Sequence, residues 1–195
     1  MGNPFDKNYW EQKYIENATG WDIGSISLPL EAYFNQLTKK KLKILIPGAG
    51  NSYEAEYLHK QGFTNVDVID IAIQPLKNLK NRVASFPENS LIETDFFKHH
   101  KKYNLIVEHT FFCALHPEIR SKYVDKMADL LEEKGKLIGL LFDFELTKKG
   151  PPFGGSLDAY IKLFSKKFNI ITIDKCYNSI KPRFGRELFF IFEKK

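Results

Sequence analysis

Cysteine is scarce in this chain, long apolar runs are missing, and neither repeats nor low-complexity segments occur. The two cysteines, Cys113 and Cys176, show no CxxC spacing and no accompanying histidine cluster. That argues against a disulfide-stapled scaffold and against a zinc site, so no metal is expected and a reducing cytoplasm is the expected home. No stretch approaches the roughly 20 apolar residues that a membrane-spanning helix needs. The best run, Leu137 to Phe142, is short and contains Gly139. Met1 to Tyr14 is polar and aromatic and lacks the apolar region of a secretory signal. Asp6 stands where a myristoylation pattern wants Ser or Thr. No association with a membrane is expected.

Against these absences stand 43% hydrophobic and 14% aromatic residues, enough for a sizeable core in a chain of 195 residues. One domain spanning 1–195 is the expectation, and a monomer. The net charge of +5 comes largely from scattered lysine pairs and triplets, such as Lys39-Lys40-Lys41 and Lys166-Lys167. They fall at element ends and lack interleaved aromatics, so nucleic acid is not the expected partner.

Two regimes divide the chain. Residues 1–38 are rich in aromatics and acids, with one short helix around Tyr9 to Ile15 and a second over Leu30 to Leu37. From 39 to 195 short apolar runs alternate with helical patterns. Strands are predicted at Leu42–Ile46, Val66–Ile69, Leu91–Glu93, Leu105–Val107, Lys136–Phe142, Ile170–Asp174 and Glu187–Phe192. Helices are predicted at Ser52–Gln61, Ile73–Val83, Pro117–Leu131 and Leu157–Phe168. This alternation implies a Rossmann-like α/β fold, a mostly parallel sheet with helices on both faces. Ligands of such sheets bind beyond the carboxyl ends of the strands.

The most informative stretch is Ile46-Pro47-Gly48-Ala49-Gly50-Asn51-Ser52, between the first strand and its helix. Glycines there let the backbone turn sharply and approach a ligand closely. A dinucleotide fingerprint needs a third glycine where this chain has Tyr53, and the Gly-Lys-Ser/Thr ending of a P-loop is missing too. The loop therefore suits a nucleoside without a pyrophosphate. Asp70 ends the second strand, with Ile71 next to it, and a carboxylate there can accept hydrogen bonds from both ribose hydroxyls. Thr94-Asp95-Phe96-Phe97 follows the third strand. Asp95 suits an adenine amino group and Phe96 its ring face; equally, the stretch reads as a core phenylalanine pair beside a turn aspartate.

Pro47-Gly48-Ala49-Gly50, Asp70, Glu108-His109-Thr110-Phe111-Phe112-Cys113-Ala114-Leu115-His116-Pro117 and Gly150-Pro151-Pro152-Phe153 resemble the thiopurine S-methyltransferase family. The similarity is greatest to its thiol and halide methyltransferase branch, and Trp10 and Thr19-Gly20-Trp21-Asp22 share in it. The resemblance implies a class I methyltransferase fold: a seven-stranded, mostly parallel sheet with an antiparallel last strand. It implies S-adenosyl-L-methionine as cofactor and S-adenosyl-L-homocysteine as product. Gly48 and Gly50 would then line the methionine and ribose part, Asp70 and Ile71 the ribose, Asp95 and Phe96 the adenine. Glu108 and His109 would face the methionyl end. Residues 1–38 would form a helical lid bringing Trp10 and Trp21 over the pocket. In the loop itself Pro47 stands where many class I enzymes have an acid.

Methyl transfer from a sulfonium is an in-line displacement in which positive charge is lost. Sulfur nucleophiles and heavy halides need little acid–base help, so positioning and exclusion of water would do most of the work. Trp10, Trp21, Phe111 and Phe153 are candidates to surround the sulfonium, each aromatic face attracting a cation by ~0.5–2 kcal/mol. Asp22, His116, His109 and Asp143 are candidate bases, and Arg183 and Arg186 candidate anion holders. Trp21, Asp22, His116 and Arg186 are accordingly the expected catalytic group; Phe111, Phe153 and Arg183 are expected to meet a small-molecule methyl acceptor. Cys113 reads as a small buried hydrophobe rather than a nucleophile. Two rivals remain: a methyltransferase acting on nucleic acid or another small molecule, and a module that binds the cofactor without turnover.

Overall fold

The computed structural model describes residues 4–195, so residues 1–3 of the expected 1–195 domain and of the N-terminal myristoylation test lie outside it. Seven strands form one sheet: β1 (Ile44–Pro47), β2 (Val66–Asp70), β3 (Leu91–Glu93), β4 (Tyr103–His109), β5 (Leu131–Phe142), β6 (Phe168–Lys175) and β7 (Glu187–Lys194). Their order is β3-β2-β1-β4-β5-β7-β6. The first five pair in parallel, and β7 runs antiparallel to both β5 and β6. This is the sheet expected from the sequence, with its antiparallel last strand.

Six helices accompany it: α1 (Lys7–Ile15), α2 (Leu28–Phe34), α3 (Tyr53–Lys60), α4 (Ile73–Arg82), α5 (Arg120–Leu130) and α6 (Leu157–Phe164). The central strands are buried on both sides and split their residues by parity. Ile44 and Ile46 of β1 join Leu30, Phe34, Ala55, Leu58, Leu76 and Leu79 from α2, α3 and α4 in one core. Leu45, between them, joins Tyr123, Met127, Tyr160 and Phe164 from α5 and α6 in the other. A period of two on two apolar faces is why β1 reads as an unbroken apolar run. Each fully buried Phe or Leu contributes roughly 1.5–3 kcal/mol, so a sheet covered on both faces is a rigid platform.

Boundaries shifted where tertiary contacts overrode local pattern. The expected helix from Pro117 begins as a one-turn 3-10 segment over Pro117–Ile119 and becomes α-helical at Arg120. Leu131 was read as helical yet belongs to β5, paired with Tyr103. Likewise α6 stops at Phe164, and Phe168 starts β6 with its ring buried at 0% exposure. The helix predicted at Leu30–Leu37 begins two residues earlier, with Pro29 in its first turn, and ends before the lysine triplet. That leaves the lysines in a solvated turn, not at a helix terminus.

The chain crosses from one face to the other between β1 and β4. That switch point is where sheets of this kind open a crevice beyond their carboxyl ends, and the loop after β1 and the stretch after β4 meet there.

Candidate functional site

Two glycines of the β1–α3 loop have left-handed backbones, Gly48 at φ +63° and Gly50 at φ +53°. Space constrains them as well as conformation. A Cβ on Gly48 would lie 2.3 Å from Cδ2 of Phe111, whereas one on Gly50 would meet the Trp21 indole at 3.8 Å. The loop is thus covered by Phe111 from the β4 side and by Trp21 from the N-terminal segment. Its first amide N–H, that of Gly48, donates to the Ile69 carbonyl of β2 at 2.8 Å.

Asp70 closes β2 against this loop. Its Oδ1 accepts from the Ala72 N–H at 2.8 Å, and only 8% of the residue is exposed. Burial pushes its carboxyl up to about 7, although the N–H groups of Ala72, Gly50 and Ile71 pull the other way; the nearby charge of Glu11 adds to the rise. The Gly50 N–H thus reaches the Asp70 carboxylate, so the structure brings together the two features that the sequence kept apart. A glycine backbone beside a buried carboxylate fits a nucleoside held by its ribose hydroxyls.

The segment 4–38 lies over this end of the sheet. Asp6 caps α1 by accepting from the Tyr9 N–H at 3.0 Å. Trp21 meets Trp10 edge-on at 5.5 Å and Tyr14 at 5.7 Å. Burial raises the Tyr14 hydroxyl's pKa, and the charges of Asp70, Asp22 and Glu11 push the same way, against a hydrogen bond from Trp21. Glu11 accepts from the Ile73 N–H at 2.7 Å, at the start of α4. No residue of α1 is fully enclosed, so α1 is held by a few polar contacts and ring edges, whereas α2 anchors the segment through Leu30 and Phe34 in the core.

Several expected site residues have other work. Glu108, expected to face the methionyl end, is turned inward at 0% exposure. Its Oε1 accepts from the N–H groups of Phe111 and Phe112, both at 2.8 Å, and its Oε2 from the Tyr123 hydroxyl. Burial pushes this carboxyl up to about 7 against those donors. It shapes the turn that aims Phe111. Phe96, expected on an adenine face, is a core ring at 4% exposure, edge-on to Phe97 and Phe111. Asp95 caps a one-turn helix through the Phe97 N–H at 2.9 Å and remains partly exposed. Phe96 is thus a core ring, and Asp95 a turn aspartate that keeps part of its surface open.

The candidate bases are also engaged. Asp22 accepts from Gly24 N–H at 2.7 Å through Oδ1 and from the Asn51 amide through Oδ2, which ties the lid to the glycine loop. His116 caps the turn at Pro117, its Nδ1 accepting from Glu118 N–H at 3.4 Å, and its ring lies 5.7 Å from that of Phe153. Phe153 is 3% exposed, sandwiched between His116 and Phe5. Arg186 is exposed and stacks on Phe144 at 4.8 Å, and its N–H donates to the Arg183 carbonyl at 3.0 Å. Asp143 donates its backbone N–H to the Arg186 carbonyl. The Cys113 thiol is buried and its pKa is raised by burial first and by Glu108 second, which suits an inert side chain.

Arg183 and His109 do come together, beside the backbone of Trp21. Arg183 donates from Nη2 to the Trp21 carbonyl at 2.6 Å, and its Nη1 lies 3.0 Å from His109 Nε2 and 3.3 Å from Glu187 Oε1. His109 Nδ1 faces Glu54 Oε1 at 3.1 Å. Glu54, Glu187 and Tyr14 were not singled out from the sequence. Glu54 sits in the first turn of α3, where an acid is ordinary, so nothing local marks it. Among the described residues no group of three or more His, Cys, Asp or Glu side chains could hold a metal ion. Among the described residues no helix is long and apolar enough to cross a membrane.

A family model described as Thiopurine S-methyltransferase (TPMT) matches residues 5–194 of this chain. "Probable thiol methyltransferase 2" of Arabidopsis thaliana is 28% identical over 184 residues, covering 91% of this chain and 81% of the relative. "Thiocyanate methyltransferase 1" of Brassica oleracea is 26% identical over 185 residues, covering 91% and 81%. Among solved structures, the Burkholderia thailandensis 1,6-didemethyltoxoflavin-N1-methyltransferase, with S-adenosylhomocysteine bound, superposes with a TM-score of 0.74 at 15% identity. It covers 97% of this chain and 87% of its own.

Proposed function

From the premise that this chain belongs to the thiopurine S-methyltransferase family, we propose that it transfers a methyl group from S-adenosyl-L-methionine to a small sulfur nucleophile or a halide. The observation that supports this most directly is the convergence of the bare Gly48–Gly50 turn, the buried Asp70 carboxylate and the Trp21 indole on one crevice. The cofactor supplies an electrophilic methyl on a positively charged sulfur. Everything asked of the protein is positioning, and that matches what the residues offer.

Asp70 would hold the ribose, and the glycine turn would line the amino-acid part. Trp21, Trp10 and Phe111 present aromatic surface to the sulfonium, and ring faces favour a cation there. Asp22 and His116 are already committed to capping and latching contacts. A reaction that needs no dedicated base is consistent with that, because a thiolate or halide brings its own electron pair. Of the N-terminal segment, α1 has no fully enclosed residue and can lift to admit the cofactor at low cost, while α2 stays fixed in the core. Two buried free cysteines suit a reducing cytoplasm.

The test is incubation with methyl-labelled cofactor and a panel of thiols, sulfide, thiocyanate, iodide, a thiopurine and RNA. Label should move to sulfur or iodide and not to RNA. Label on RNA alone would favour the nucleic-acid reading; cofactor bound but never consumed would favour the binding module.

A further inference from the structure

Four separate stretches of chain meet in one unbroken line of hydrogen bonds. The Ser27 N–H donates to Glu54 Oε1 at 3.2 Å, which also faces His109 Nδ1 at 3.1 Å. His109 Nε2 lies 3.0 Å from Arg183 Nη1, and Arg183 Nη2 ends the line on the Trp21 carbonyl at 2.6 Å. The side chains are deeply placed: 7% exposed for Glu54, 11% for His109, 11% for Arg183 and 3% for Glu187.

A guanidinium has no acceptor, so the Arg183–His109 contact requires a free electron pair on Nε2. The imidazole proton must then sit on Nδ1, pointing at Glu54. Burial alone would raise the pKa of Glu54, but the His109 ring and the N–H of Ser27 outweigh it, and the carboxyl ends below its ordinary range. Glu54 Oε1, facing both the Ser27 N–H and His109 Nδ1, is an acceptor there and so selects the tautomer that Arg183 needs. Buried charged groups of this kind add little net stability compared with apolar packing, which calls for another reason to keep them. The line terminates on the backbone of the residue whose indole covers Gly50, so its output is the place of Trp21.

We infer that Glu54 is a positioning residue of the transfer reaction: it orients His109, which orients Arg183, which holds Trp21 down over the glycine turn. This rests on the reading of that crevice as the S-adenosyl-L-methionine site. Glu54 touches neither the crevice nor an acceptor, and it acts only through its partners.

The experiment is a double-mutant cycle on the full chain, read as the dissociation constant for S-adenosyl-L-methionine by calorimetry, with kcat and the KM for sulfide measured alongside. Glu54→Leu keeps the volume but removes the acceptor, and should weaken cofactor binding about tenfold. Glu54→Gln keeps an oxygen for both Ser27 and His109, and should recover most of that loss. In a Trp21→Ala background Glu54→Leu should add less than about twofold, because the element it positions is already gone. An unchanged dissociation constant in folded Glu54→Leu would overturn the inference, as would the same tenfold loss in the Trp21→Ala background. If Glu54→Leu does not fold, Arg183→Lys takes its place in the cycle with the same expectations, since an ammonium cannot span His109, Glu187 and the Trp21 carbonyl together. A wild-type chain that binds no cofactor overturns the functional reading and this inference with it; wild-type binding with an indifferent Glu54 overturns the inference alone.

Discussion

With the ribose role proposed for it, Asp70 should make cofactor affinity depend on pH. Ribose hydroxyls donate to an ionised carboxylate, yet burial leaves the free protein's Asp70 with a pKa of about 7. On binding, two new donors should return it toward an ordinary carboxylate value near ~4. Below pH 7 the ligand must first displace a proton. Each pH unit then costs about 1.4 kcal/mol, or tenfold in affinity. The dissociation constant for S-adenosyl-L-methionine should therefore fall roughly 100-fold between pH 5 and pH 7 and level off above that. Calorimetry in buffers of different ionisation enthalpy would follow both the affinity and the uptake or release of protons. Asp70→Asn should abolish the slope, which separates Asp70 from Glu108, whose carboxyl is also pushed to about 7. The same shift has a consequence for the free protein. A carboxyl whose folded pKa lies above its unfolded value makes stability fall as pH rises from about 4 to about 7 and hold steady beyond. Asp70→Asn should thus raise the melting temperature more at pH 8 than at pH 5. A flat dissociation constant across pH 5 to 8 in the wild type, or an equal slope in Asp70→Asn, would refute the reasoning.

Two further outcomes test the frame around the site. Gly48→Ala places a methyl 2.3 Å from Phe111 Cδ2 and 2.8 Å from its Cβ, at a φ of +63°, so swinging the ring cannot clear it. The expected loss is about 2–4 kcal/mol, or roughly 5–15 °C in melting temperature; an unshifted melting curve would mean the loop moves freely. Glu108→Ala strands the N–H groups of Phe111 and Phe112 and the Tyr123 hydroxyl, which should cost about 3–5 kcal/mol in urea unfolding. Full stability with lost turnover would instead place that carboxylate in the chemistry.

The strand and helix sequence was legible because burial on two faces leaves a plain mark: short apolar runs for β1 and β2, glycine and proline at their ends, and 3.6-residue periodicity between them. The turn at Gly48 and Gly50 and the acid at Asp70 were legible for the same local reason, since backbone reversal and strand termination each demand a particular residue type. Ends of elements were less so. Leu131 and Phe168 have helical neighbours but pair with distant strands, and pairing energy comes from residues far away in the chain.

Side-chain direction was settled by tertiary structure alone. Glu108 and His109 are adjacent on β4, so pleating sends them to opposite sides: one into the core beneath Phe111, the other toward Arg183. Which side faces the crevice depends on which helices cover which face, and no window of sequence holds that information. For the same reason the contacts of Asp22 with Asn51 and of Arg183 with the Trp21 carbonyl were not legible, nor was that of Glu54, unmarked in its own helix, with His109. The residues at the turn and at the strand ends were written into the sequence; their partners were chosen by packing.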